Sequence, residues 1–262
     1  MNDRPPAFDT TIIGAGHMGQ ALRQGWCFSG VSVGFVRMCG RSDVLAERSR
    51  PRGKESRLYV LAVKPEDVPT ATKQYARALK PGDWLISVAA GAAPDPEQLP
   101  DGVHIGRAMP NVAVEVGCGL VGFATAAPEG EKNKLVSDLE GLGQFIELQD
   151  DQFDAFTVFA GCGPAYLAAF SATLRDMAVE SGIVVDERAL QTLLAGVLQH
   201  SEVLGLAMRD YAESIAVPGS VTRSGMAAVD ENDHQKLLTR ECYDRAMNHC
   251  RQLSAHSTQV PE

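Results

Sequence analysis

The stretch Gly14-Ala15-Gly16-His17-Met18-Gly19 lies between a short apolar run at residues 10–13 and a helix-like segment at residues 20–26. This order predicts a strand, a glycine turn and a helix. In such a turn the first glycine permits the tight bend, the second lets a pyrophosphate approach the backbone, and the third lets the helix pack on the strand. The context favours a dinucleotide-binding site over a glycine turn of another α/β protein.

The composition indicates a globular protein with one large or two ordinary domains. The chain has 262 residues, of which 45% are hydrophobic and 22% charged, a balance that supports a sizeable core. The formal net charge of -9 argues against nucleic acid or an anionic membrane as a partner. Residues 1–8 lack the apolar stretch of a signal peptide and no apolar run has the length of a membrane span, so we expect a cytoplasmic protein.

The cysteines and histidines form no recognised metal-binding motif. No two cysteines are spaced as C-x-x-C, none lies near a histidine at a zinc-finger spacing, and there is no H-E-x-x-H pair. We therefore predict no metal, and reduced, mostly packed thiols at Cys27, Cys39, Cys118, Cys162, Cys242 and Cys250.

The segment after the first helix indicates which dinucleotide is bound. A β-like run at residues 31–36 should end near Arg37, where an NAD site usually has an acidic residue that binds the ribose hydroxyls. No carboxylate occurs between Gly19 and Ser42, and Gly40-Arg41-Ser42 suits a ribose 2′-phosphate. The sequence therefore predicts NADP rather than NAD; the alternative interpretation of Arg41 is a solvated loop charge.

Further buried strands are predicted at residues 58–63, 84–88, 103–107, 120–125 and 145–148, with a helix at residues 131–142. Ligands of doubly wound sheets bind beyond the carboxyl ends of the strands, so we expect Val63, Lys64 and Pro65 to line the cofactor. The small side chain of Ala90 allows the close approach of a flat group. Lys64 also has a simpler interpretation as a surface lysine.

The periodicity changes near residue 150, which predicts domains at residues 1–150 and 151–262. Apolar residues recur at helical spacing at residues 151–159, 165–180, 187–205 and 233–249. The loops predicted at residues 161–166 and 217–222 each precede a helix N-terminus, where backbone N–H groups attract anions.

Seven segments, in order and at matching spacing, resemble the pyrroline-5-carboxylate reductase family over residues 11–248. They are Gly14-Ala15-Gly16-His17-Met18-Gly19, Gly40-Arg41-Ser42, Ala62-Val63-Lys64-Pro65, Ile86-Ser87-Val88-Ala89-Ala90-Gly91, Arg107-Ala108-Met109-Pro110-Asn111, Gly161-Cys162-Gly163-Pro164-Ala165-Tyr166 and Pro218-Gly219-Ser220-Val221-Thr222.

The resemblance implies an α/β Rossmann N-terminal domain, an all-α C-terminal dimerisation domain, and a homo-oligomer that is a dimer or a ring of dimers. It implies NAD(P)H-dependent reduction of a cyclic imine acid, here 1-pyrroline-5-carboxylate to L-proline. The substrate-binding residues are then Pro218, Gly219, Ser220, Val221 and Thr222, with Thr222 as the catalytic hydroxyl. The cofactor-binding residues are Gly14, Ala15, Gly16, His17, Met18, Gly19, Arg41, Ser42, Ala62, Val63, Lys64, Pro65, Ala90 and Asn111.

These roles agree with the chemistry of an imine, whose carbon is already electrophilic, so that alignment with the nicotinamide matters more than acid catalysis. We expect the backbone N–H groups of Gly219, Ser220 and Val221 to hold the substrate carboxylate. Thr222 also has a simpler interpretation as a helix cap.

Three features depart from the family pattern. Val217 replaces a serine, Ser220 a glycine, and the link at residues 43–57 is short. They leave open a reductase of a different cyclic imine in specialised metabolism, or a non-catalytic dinucleotide-binding module. A hydroxyacid dehydrogenase is disfavoured, because such enzymes often use a lysine as proton donor and the only lysine after Lys134 is Lys236.

Replacing Arg41 tests the cofactor prediction. We expect Arg41→Ala to weaken NADPH binding by about tenfold or more, because a charge-assisted hydrogen bond contributes about 1.5–3 kcal/mol. NADH binding should change little. Titration of both dinucleotides into both proteins measures this, and an equal loss for the two would contradict the NADP assignment.

Overall fold

The computed structural model of the protein describes residues 8–28, 37–39, 56–231 and 234–257. The chain divides into two compact units. The first comprises Met1–Cys162 with Ala246–Glu262, and the second comprises Gly163–Arg245. The domain boundary expected near residue 150 stays a prediction.

The described strands of the first unit form one seven-stranded sheet in the order β2-β1-β3-β4-β5-β6-β7. Neighbouring strands are parallel, except that β6 is antiparallel to β5. The strands are β1 Phe8–Ile13, β2 Arg37–Cys39, β3 Ser56–Leu61, β4 Trp84–Ser87, β5 His104–Pro110, β6 Gly119–Thr125 and β7 Gly143–Glu147. This parallel-dominated sheet confirms the predicted Rossmann class.

The position of β1 creates the ligand-binding edge. β1 pairs with β2 on one side and β3 on the other, so the strand order reverses between β1 and β3. Ile13 lies opposite both Cys39 and Leu61 in the ladder, so all three strands end at one level. In open parallel sheets, ligands bind in the crevice at such a switch point.

The sheet is buried on both faces because successive side chains of its strands alternate between two cores. Leu58 and Val60 pack with α1 (His17–Phe28), whereas Tyr59 and Leu61 pack with α2 (Val68–Ala76). A third helix, α3 (Glu129–Leu139), adds Leu135 to the first core.

Residues 150–180 form an uninterrupted helical run, so the prediction of a loop at residues 161–166 is wrong. The run comprises α4 (Phe153–Phe156), a π-helix (Thr157–Cys162) and α5 (Gly163–Glu180). Pro164 lacks the N–H needed for an i−4 bond, and the π-helical turns directly before it accommodate the proline without ending the helix.

The remaining helices are α6 (Glu187–Leu204), α7 (Met208–Ile215), α8 (Val221–Glu231) and α9 (His234–Ser257). The sequence did not predict α7, which has only eight residues. Among the described helices, the run Asp150–Glu180 alone is long and apolar enough to cross a membrane. Exposed apolar helices also mark protein–protein interfaces.

The thiols are less packed than predicted. The five described in detail form no disulfide, Cys27 and Cys118 are exposed, and Cys162, Cys242 and Cys250 are half-buried. Burial raises the pKa of the Cys250 thiol, and the nearby Asp154 and Cys162 raise it further. Cys250, Asp154 and Cys162 all belong to the first compact unit, which includes the second half of α9.

Candidate functional site

The glycine turn is fixed by close backbone packing at the switch point. Gly14 has φ +116°, and a Cβ at this position would collide with the carbonyl oxygen of Ala62. A Cβ on Gly19 would collide with the carbonyl oxygen of Gly14. These two positions therefore need glycine for packing.

Gly16 differs from the other two glycines, because a Cβ there would have no atom within 4 Å. Ala15, Gly16 and His17 are exposed, and α1 begins at His17. The first backbone N–H groups of a helix have no partner within the helix, and its N-terminus attracts anions. The turn thus leaves an open cradle that fits the pyrophosphate of a dinucleotide.

The segments that follow β3 and β4 are each held to the end of the neighbouring strand by a backbone hydrogen bond. The Ala62 N–H donates to the Ile13 carbonyl at 2.7 Å, and the Val88 N–H donates to the Leu61 carbonyl at 3.0 Å. Ala62 and Val63 are half-buried at the sheet edge. Lys64 is exposed, with its Nζ 3.8 Å from Glu66 Oε1.

The other predicted cofactor residues lie along the same sheet or outside the described residues. Ala90 is half-buried after β4. Asn111 is buried, and its Oδ1 accepts a hydrogen bond from the Leu120 N–H at 3.1 Å, so this side chain links the end of β5 to β6. Arg41 and Ser42 lie outside the described residues.

The second unit contains the segment predicted to bind substrate, residues 217–222, and its first four residues, 217–220, form a tight bend. The Ser220 N–H donates to the Val217 carbonyl at 3.1 Å, and Gly219 has φ +79°. Pro218 occupies the second position of the turn and Gly219, with its positive φ, the third, which is the pattern of a type II turn. Because the positive φ falls on Gly219, Ser220 is accommodated without backbone strain. The Ser220 N–H is therefore used within the turn, and the predicted role of Ser220 in binding the substrate stays a prediction.

Ser220, rather than Thr222, caps α8. The Arg223 N–H donates to Ser220 Oγ at 3.1 Å, and the Ser224 N–H donates to the Ser220 carbonyl at 3.2 Å. Thr222 is the second residue of the helix and is exposed. Its hydroxyl is therefore not needed for the cap.

Sequence reasoning missed Arg223, which joins the two helices on either side of the bend. Its Nε donates to the Ala216 carbonyl at 2.6 Å, and its Nη2 donates to Glu213 Oε2 at 2.6 Å. The only signal in the sequence is a basic residue in the first turn of a helix, where acidic residues are favoured.

Within the part of the chain that the structure describes, no three His, Cys, Asp or Glu side chains are grouped to hold a metal ion.

Comparison with family models divides the chain in two. Residues 150–253 match the model described as pyrroline-5-carboxylate reductase dimerisation. Residues 10–91 match the model described as NADP oxidoreductase, coenzyme F420-dependent.

Several curated proteins are similar to the chain over most of its length. It is 27% identical over 244 residues to the pyrroline-5-carboxylate reductase of Methanosarcina acetivorans, covering 84% of this chain and 88% of the relative. It is 29% identical over 252 residues to pyrroline-5-carboxylate reductase 3 of Danio rerio, covering 88% and 87%.

Solved structures show the same fold. The Plasmodium falciparum pyrroline carboxylate reductase with NADP bound gives a TM-score of 0.76 at 20% identity, covering 94% of this chain and 99% of that one. A pyrroline-5-carboxylate reductase from Coxiella burnetii also gives 0.76 at 20% identity, covering 95% and 99%.

Two glycine substitutions separate packing from phosphate binding. We expect Gly16→Ala to fold with nearly wild-type stability but to bind NADPH about tenfold more weakly, because its methyl group occupies the open cradle. Gly19→Ala should lower the free energy of unfolding by about 1–3 kcal/mol through overpacking. Denaturant unfolding and dinucleotide titration measure the two effects. Unchanged NADPH affinity in Gly16→Ala would contradict the placement of the pyrophosphate.

Proposed function

We propose that this chain, which is similar to pyrroline-5-carboxylate reductases over most of its length, is a member of that family and reduces 1-pyrroline-5-carboxylate to L-proline with NADPH. The observation that carries the proposal is the exposed Thr222 in the first turn of α8, where Ser220 already supplies the cap. The Thr222 hydroxyl is not used in the cap and lies beside a helix N-terminus that attracts anions. An imine acid has a carboxylate that suits the helix N-terminus and a ring nitrogen that suits the hydroxyl.

The first unit holds the cofactor in this proposal. NADPH supplies a hydride when it is bound, and the protein positions it. The backbone N–H groups at the start of α1 bind the pyrophosphate beside Gly16, where the surface is open. Arg41 and Ser42 bind the 2′-phosphate, which makes NADPH preferred over NADH. The remaining contacts come from Ala62, Val63, Lys64, Pro65, Ala90 and Asn111.

The bend of the second unit holds the substrate. The N–H groups of Gly219, Val221 and Thr222 remain as donors for its carboxylate once the Ser220 N–H is assigned to the turn. Thr222 Oγ1 hydrogen-bonds with the ring nitrogen, whose charge changes during reduction. Alignment of the imine carbon for hydride transfer then supplies most of the rate enhancement.

The helical unit is proposed to form a homodimer, which can assemble further into a ring of dimers. Large apolar side chains of α5 and α6 are exposed in the single chain, and a second copy would bury them: Phe170, Leu174, Met177, Leu193, Leu194 and Leu198. We also propose that the protein is cytoplasmic. The net charge of -9 argues against nucleic acid or an anionic membrane as a partner.

A second candidate is reduction of a different cyclic imine, one with an apolar ring or substituent. Val217 and Val221 flank the bend, and their side chains are 52% and 90% exposed. Exposed apolar side chains beside a carboxylate-binding turn favour a bulkier apolar substrate, since contact with it would bury them.

An assay of NADPH oxidation with a panel of imine acids tests both candidates. We expect the highest kcat/KM for 1-pyrroline-5-carboxylate among five-membered, six-membered and substituted rings, and a lower value with NADH. A higher kcat/KM for a larger ring would favour the second candidate. If NADPH were not oxidised with any imine, the chain would be interpreted as a non-catalytic dinucleotide-binding module.

Two hydroxyl deletions separate chemistry from capping at the bend. We expect Thr222→Ala to lower the single-turnover rate about ten- to hundredfold with the melting temperature retained, because a hydrogen bond to a charged group contributes about 1.5–3 kcal/mol. Ser220→Ala should instead cost about 1 kcal/mol of stability through loss of the cap. An unchanged single-turnover rate in Thr222→Ala would remove its catalytic role.

A further inference from the structure

We propose that Arg223 is a positioning residue for the imine substrate: its guanidinium clamps the bend at residues 217–220, together with the start of α8, to the end of α7. This inference rests on the proposed function, because the bend is where the substrate carboxylate is proposed to bind. The clamp itself is a property of the second unit alone, and its contacts lie within residues 213–224.

Arg223 reaches back across the turn to two acceptors on α7. The Nε–H donates to the carbonyl of Ala216, seven residues earlier, and Nη2 donates to the carboxylate of Glu213, ten residues earlier, both at 2.6 Å. The Arg223 side chain is 34% exposed and that of Glu213 is 51% exposed. A planar guanidinium can satisfy two separated acceptors at once, whereas a lysine ammonium acts as a point charge.

The acceptor on Ala216 is the part of the clamp that most needs a donor. Ala216 is fully buried and ends α7 with non-helical backbone angles. The last carbonyls of a helix have no partner within it, and a buried carbonyl without a donor is costly. Arg223 therefore caps the C-terminus of α7 from the first turn of the next helix, which joins the two helix ends directly.

The same side chain is poorly placed with respect to α8. A cation in the first turn of a helix opposes the macrodipole, which favours acidic residues there. Such a departure from a local rule is expected where a residue serves a site. Here the added positive charge also lies beside the helix end that is proposed to attract the substrate carboxylate.

The clamp fixes the groups that are proposed to touch the substrate. The Ser220–Val217 and Arg223–Ser220 hydrogen bonds close the bend internally. The two hydrogen bonds of the Arg223 side chain, to Ala216 and Glu213, instead join the bend to α7. Loss of that side chain should leave the turn formed and let it move as a unit. Thr222 and the neighbouring N–H groups would then lose their alignment with the imine.

Four variants of the full-length protein test the clamp. R223M removes every hydrogen-bond donor of the side chain and keeps most of its aliphatic part. R223K keeps the positive charge but lacks the planar guanidinium that reaches two acceptors. E213Q keeps a hydrogen-bond acceptor at residue 213 and removes its negative charge. The matched control is R240M, which removes an arginine from the exposed Arg240–Asp244 pair of α9. The measurements are the KM and kcat for 1-pyrroline-5-carboxylate, the Kd for NADPH, the melting temperature, and amide hydrogen exchange at residues 216–222.

We expect R223M to raise the KM for the imine about tenfold and to speed exchange at residues 216–222 about tenfold, with the Kd for NADPH unchanged. R223K should recover part of both effects, E213Q should cause a smaller change, and R240M should behave as the wild type. A purely structural role would lower the melting temperature and leave the KM of the folded protein unchanged.

Unchanged KM and unchanged exchange in R223M, in an active wild-type background, would overturn the clamp. A wild-type protein that oxidises NADPH with no imine would instead overturn the proposed function, whatever the exchange data show for Arg223.

Discussion

The dinucleotide site depends on one close contact, the packing of Gly14 against the backbone of Ala62. It joins the turn after β1 to the segment after β3 at the point where the strand order reverses. A side chain at this position would force the two segments apart. Because they stay together, α1 starts directly at the sheet edge, and the open surface at Gly16 faces its N-terminus. The phosphate-binding cradle is therefore a consequence of backbone packing rather than of any charged side chain.

The second unit also exposes a helix N-terminus after a glycine turn, but with different residues. A type II turn places Gly219 at the one position that needs a positive φ, which leaves Ser220 to cap α8 and Thr222 exposed beside it. Both units thus present a helix N-terminus reached through a glycine turn. One suits a pyrophosphate and the other suits a carboxylate, which is the pair of anions that an NADPH-dependent imine acid reductase must bind.

Local chemistry determined what could be predicted from the sequence. The G-x-G-x-x-G turn and the buried strands were identified, because strand periodicity and glycine spacing depend on near neighbours, and the comparisons confirm the family resemblance. The Gly161-to-Tyr166 segment was wrongly predicted as a loop, because glycine and proline usually end helices. The π-helical turns that accommodate Pro164 leave no periodic pattern in the sequence. Arg223 was missed because its partners lie seven and ten residues away on another helix, at a distance that no local pattern reports.

We propose that the first unit carries the reduced nicotinamide and that the bend near residue 220 binds the substrate. A crystal structure of the oligomer with NADP and L-proline tests this most directly. We expect the proline carboxylate on the N–H groups at the start of α8, its nitrogen hydrogen-bonded to Thr222, and its ring carbon about 3–3.5 Å from C4 of the nicotinamide. A bend remote from the nicotinamide ring in every pairing of protomers would contradict it.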